Sequence, residues 1–152
     1  MFDCSWIETR FERLRPGDYR GTSFPTSNYN CIAWALGKTD NPWWPTDEIA
    51  GYVWPDGLPK EPLEQESLAN FIRAFETEGY LVCDDDEFEI GFEKVAIYVG
   101  KTGNPLHAAR STENGKWTSK IGDEEDIEHA TLESLEGSLH GEVKAFLKRR
   151  KH

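Results

Sequence analysis

The chain has 152 residues, 28 of them acidic and 17 basic, with a net charge of −11. Its length fits a single soluble domain over residues 1–152, and its charge repels phosphate backbones and anionic lipid, which argues against nucleic-acid or membrane-surface partners. No run approaches the length of a membrane span. The opening Met1-Phe2-Asp3 carries an acid where a signal peptide needs a cation, so a cytoplasmic location is expected, with export by a signal-independent route left open.

In chain order, Trp6, Ile7, Phe11 and Leu14 recur at a loose helical spacing, which Pro16-Gly17-Asp18 stops. Asn30 offers an N-cap and Gly37 a C-terminal stop, so Cys31 to Leu36 reads as a short helix with Cys31 in its first turn. Residues 40–58 hold Trp43-Trp44-Pro45 and Tyr52-Val53-Trp54-Pro55, a long aromatic loop of the kind that packs as a lid or borders a site. From Ser67 to Phe75, Leu68, Phe71, Ile72 and Phe75 share one helical face, and Gly79 ends the helix.

Beyond Gly79 the period changes. Tyr80 to Cys83 reads as a short strand, and Lys94 to Val99, almost continuously apolar, as a central one. Turns at Lys101 to Asn104 and Glu113 to Gly115 separate it from strands over Pro105 to Ser111 and Lys116 to Ile121. Gly141 to Leu147 alternates well enough for a final strand. A helical N-terminal part followed by an antiparallel sheet predicts an α+β fold.

Cys31 is the cysteine with chemical promise, because the first turn of a helix favours a thiolate. Cys4 lies near the terminus, and Cys83 precedes Asp84 to Asp86, whose charge opposes its ionisation. The bland alternative for Cys31 is a small buried residue of a core helix. Among the histidines, His107 sits mid-strand between apolar neighbours, and there a core histidine is the alternative to a general base. His140 and His152 read as solvated, and His129 sits among acids that raise its pKa.

A catalytic histidine needs an orienting group, and spacing leaves Asp126, Asn114, Ser119 and Asn30 all open. Asn30 can also lend an oxyanion donor, although simple capping is the plainer role. No C-x-x-C or H-x-x-x-H spacing appears, so neither metal nor cofactor is expected. Trp43, Trp44 and Trp54 are candidate substrate- or peptide-binding residues, with a core role as the alternative.

The order of a helix-start cysteine and then a meander carrying histidine resembles the papain-like fold, and within it the NlpC-type and CHAP-type thiol hydrolases. The segments that carry the resemblance are Asn30-Cys31-Ile32-Ala33-Trp34-Ala35, Val95 to Gly100, and Leu106-His107-Ala108. More closely, the chain resembles a bacterial family of unassigned activity marked by N-C-I-A-W-A, W-W-P, E-K-V-A-I-Y, H-A-A-R, W-T-S-K-x-G and D-I-E-H. In NlpC-type enzymes the catalytic histidine starts the first hairpin strand, where this sequence has Lys94, and the place of His107 belongs to the orienting residue. The resemblance therefore implies one of two things. The first is a thiol hydrolase or acyltransferase acting on an amide, peptide or isopeptide bond, with Cys31 as nucleophile, His107 as base, and Ser119, Asn114 or Asp126 as orienter. The second is a catalytically inactive papain-like module that binds a partner protein through its aromatic loop and acidic surface.

Overall fold

The computed structural model describes residues 5–121 and 124–151. Cys4 and His152 lie outside them. The strands are β1 (Tyr19–Gly21), β2 (Leu81–Cys83), β3 (Phe92–Val99), β4 (Pro105–Ser111), β5 (Trp117–Lys120), β6 (Asp126–His129) and β7 (Glu142–Arg150). They form one sheet in the order β1-β6-β5-β4-β3-β7-β2, and every pairing is antiparallel. Among the described residues two α-helices accompany it, α1 (Cys31–Ala35) and α2 (Leu68–Glu76).

This corrects the expected α+β, papain-like fold with a helical N-terminal part: the domain is a β-rich, seven-stranded antiparallel sheet. The Trp6 to Leu14 stretch makes only a 3-10 turn over Ser5–Thr9, and the N-terminal part adds β1 to the sheet instead. The helix expected over Cys31 to Leu36 forms, as does that from Ser67. Each has a side-chain cap: Asn30 Oδ1 accepts the Ala33 N–H and Ser67 Oγ the Asn70 N–H.

Both faces of the sheet are covered, as the continuous apolar run of β3 requires. Alternation along β3 sorts its residues. Val95, Ile97 and Val99 meet α1, α2 and the aromatic loop in one core, which also holds Cys31, Phe71, Phe75 and Ala108. Ala96 and Tyr98 meet Ile7, Phe11, Ile127, Leu132 and Leu135 in the other. Phe71 and Phe75 are wholly buried, and burial of each side chain stabilises by roughly 1.5–3 kcal/mol.

A tight loop closes the β7 end of the second core. Gly137 and Gly141 exchange two backbone hydrogen bonds, at 3.0 and 2.8 Å. Gly141 has φ +75°, and a Cβ there would lie 2.1 Å from the Val99 carbonyl oxygen. Only glycine passes that point.

Candidate functional site

Asn30 does more than cap α1. Its Oδ1 also accepts the Trp43 N–H at 2.9 Å, and its Nδ2 donates to the Trp43 carbonyl at 2.7 Å. One side chain thus ties the helix start to the aromatic loop. Its place is structural, because both ends of the amide are engaged by backbone.

Cys31 follows in the first turn and is buried against Ala108 and the α2 core. Burial pushes its thiol up to about 11, against the opposing pull of the backbone groups of Ala108 and Ile32. Among the described residues no imidazole relieves it. Ala108 pairs with Ile97 and His107 with Tyr98, so the two neighbours on β4 point to opposite faces of the sheet. Ala108 turns toward Cys31 and His107 turns away, into the core of Tyr98. The expected Cys31–His107 dyad is therefore not assembled.

His107 instead joins a buried polar chain. Its Nε2 lies 2.9 Å from Ser119 Oγ, and Ser119 Oγ lies 2.8 Å from His129 Nε2. His129 Nδ1 is 2.9 Å from the Thr131 carbonyl oxygen, an acceptor only, so Nδ1 carries the proton and Nε2 is bare. Ser119 must then donate to His129, and His107 must donate from Nε2 to Ser119. The protons are ordered along the chain by that one carbonyl.

His140, delivered by the Gly137–Gly141 loop, stacks on His107 with ring centroids 3.9 Å apart and an interplanar angle of 6°. Its Nδ1 is buried without a hydrogen-bond partner among the described residues. Burial holds all three imidazoles neutral, with His129 lowered to about 4, His140 to about 3 and His107 well below its ordinary value. This corrects the expectation that His140 is solvated and that acids raise His129. Glu128 does pull His129 upward, but burial outweighs it.

Of the candidate orienters, Ser119 thus meets His107. Asp126 does not: its Oδ2 accepts the Tyr29 hydroxyl at 2.7 Å, and its Oδ1 is buried without a partner among the described residues. Asn114 bonds Thr112 in the exposed β4–β5 turn. Lys94 is buried and paired with Asp85 at 2.9 Å and Glu89 at 3.0 Å. Ser119 and His129 are both wholly buried. Their geometry polarises the hydroxyl toward a base, yet no reactant reaches it. The relay ties β4, β5 and β6 together across one face of the sheet, with its side chains buried.

The aromatic loop presents the accessible surface. Trp44 Nε1 donates to Glu66 at 2.8 Å and its ring meets Phe71 edge-on. Trp54 Nε1 donates to Asn70 at 3.3 Å, and its ring packs on Phe71. Trp44 and Trp54 are thus anchored to α2. Trp43 is half-buried and meets Trp54 at 6.3 Å between centroids. Together with Val53 and Pro55 these two rings line an open groove of about 340 Å³, bordered by Asp56 and Glu78. Lys38 lies 5.9 Å above the Trp43 ring and 3.1 Å from Glu78.

Two features escape the sequence. His129 shares a face with Ile127 in an alternating strand, a signal that the flanking acids masked. Glu78 reaches the groove only because α2 ends beside the loop, and nothing local announces that.

Residues 20–148 match a family described as a domain of unknown function (DUF7689). No curated protein and no solved structure matches the chain.

Proposed function

The chain belongs to the DUF7689 domain family, and we propose that it is a non-enzymatic protein-binding module whose Trp43–Trp54 groove takes a cationic side chain of a partner protein. The observation that carries this reading is the groove's own chemistry. Two indole rings and two carboxylates converge on one open space, and the chain's own Lys38 ammonium already rests between the Trp43 face and Glu78. An aromatic face attracts a cation by about 0.5–1 kcal/mol at exposed sites and more when water is excluded. The net charge of −11 favours the encounter with a basic partner. Thiol chemistry is the less supported reading, since His107 faces the side of the sheet away from Cys31.

The test compares two peptides that differ only at one residue, lysine or norleucine, by following the indole N–H resonances of Trp43 and Trp54. The lysine peptide should shift both and bind at least several-fold more tightly, and Trp43→Ala should remove the difference. Equal binding of the two peptides, or an unchanged preference in Trp43→Ala, would sink the reading.

A further inference from the structure

The sheet has two ends, and they are finished differently. At one end β1 carries Arg20, which pairs with Glu128 at 3.1 Å. At the other, β2 is Leu81-Val82-Cys83, bonded to β7 on one side and to no strand on the other among the described residues. Sheet edges are commonly protected by lysine, proline or a covering element. This strand has neither residue type. Leu81 is 67% exposed and Val82 56%, and the segment that follows adds Phe88 at 54% and Ile90 at 89%. Two large apolar side chains on the open edge, with Phe88 on the groove beside it, form a surface that ordinary solvation does not explain.

Charge identifies what fits it. Asp84, Asp85, Asp86, Glu87 and Glu89 follow the strand directly. Lys94 and Lys148 are engaged with Asp85 and Glu89, whereas Asp84, Asp86 and Glu87 form no ion pair among the described residues. An open groove of about 540 Å³ runs here, walled by Val82, Phe88, Asp84 and Glu87, with the two paired lysines at its base. A second copy of the chain would set the same unpaired carboxylates against each other, so the edge is unsuited to self-pairing.

We propose that β2 accepts an extended segment of a basic partner protein as an eighth strand, its apolar side chains beside Val82 on one face of the sheet and its lysines or arginines on the face of Leu81, against Asp84, Asp86 and Glu87. Strand addition takes affinity from main-chain hydrogen bonds and specificity from alternate side chains. The three residues of β2 make this a short anchor, and the acidic turn beyond it supplies direction. The surface is separate from the Trp43 groove and stands whether or not that groove binds a cation.

The experiment uses the full chain and a synthetic peptide alternating valine with lysine, beside a control alternating valine with glutamate. The lysine peptide should shift the backbone amides of residues 81–83 and slow their hydrogen exchange, and the control should not. Asp84→Lys combined with Asp86→Lys, both at exposed positions, should weaken binding at least tenfold while leaving the urea midpoint unchanged. Trp43→Ala should leave the response at residues 81–83 intact, which separates this surface from the groove. Unaltered affinity in the charge-reversed variant, equal binding of the glutamate peptide, or perturbations away from β2 would each overturn the proposal. So would a dimer in sedimentation that Leu81→Lys dissociates, because a second copy would then own the edge.

Discussion

Ser119 is the single hydroxyl between two buried imidazoles, donating to one and accepting from the other. Ser119→Ala strands a donor on His107 and an acceptor on His129 at once. Each buried polar group left without a partner costs about 1–3 kcal/mol, so a loss of about 2–6 kcal/mol is expected in urea unfolding. A loss under half a kcal/mol would mean that the histidines repartner. Cys31 gives a second prediction. Its thiol is buried and raised to about 11, whereas Cys83 is half-exposed and also raised, chiefly by burial. In the folded protein Cys83 should alkylate well before Cys31, by peptide mass spectrometry. His107→Ala should leave the pH profile of Cys31 labelling where it was, because the ring points to the other face. A faster Cys31, or a profile displaced by His107→Ala, would restore the thiol–imidazole pair.

Among the elements, the Gly137–Gly141 loop is the most demanding in its sequence. Gly141→Ala would put a Cβ 2.1 Å from the Val99 carbonyl oxygen in a left-handed backbone conformation, and a destabilisation of about 1–3 kcal/mol should follow as the loop shifts and His140 leaves His107. Thermal unfolding measures it, with loss of the stacked-ring chemical shifts as the local signature. The elements with strong local codes were legible. The hairpins joining β3, β4 and β5 follow their turn residues, and α2 follows its cap and its apolar face. The elements without such codes were not. β1 is three residues, Tyr19-Arg20-Gly21, whose pairing with β6 depends on a partner more than a hundred positions away. Trp6, Ile7, Phe11 and Leu14 looked helical because their contacts to the second core share that spacing. The site failed for a related reason. A cysteine, a histidine and their elements were found, but the face on which α1 lies is a tertiary choice that neither segment encodes alone.

At the scale of the whole molecule, three buried neutral imidazoles tie stability to pH. In the unfolded chain they titrate near about 6.5, while in the fold His129 and His140 do so at about 4 and about 3, and His107 lower than its ordinary value. Below about 6.5 the unfolded state therefore binds more protons, and stability falls with pH by up to about 1.4 kcal/mol per unit for each imidazole. It should be highest above about 6.5 and decline toward pH 4, where the carboxylates of Asp85, Glu89 and Glu128, held low by cationic neighbours, add the same trend. Urea midpoints at pH 8, 6 and 5 check this, and a flat series would count against a neutral relay. The sheet has one more consequence, a matter of counting. Which side His107 takes and which Ala108 depends on the parity of β4 against β3, set by the turn at residues 101–104 together with the one-residue register shift between Tyr98 and Val99. Lengthening or shortening that turn by one residue would exchange them, dismantling the serine-bridged chain and offering an imidazole to the side where the thiol lies. A sealed histidine relay and an imidazole on the side of the thiol are thus separated in this architecture by an odd or even number of residues.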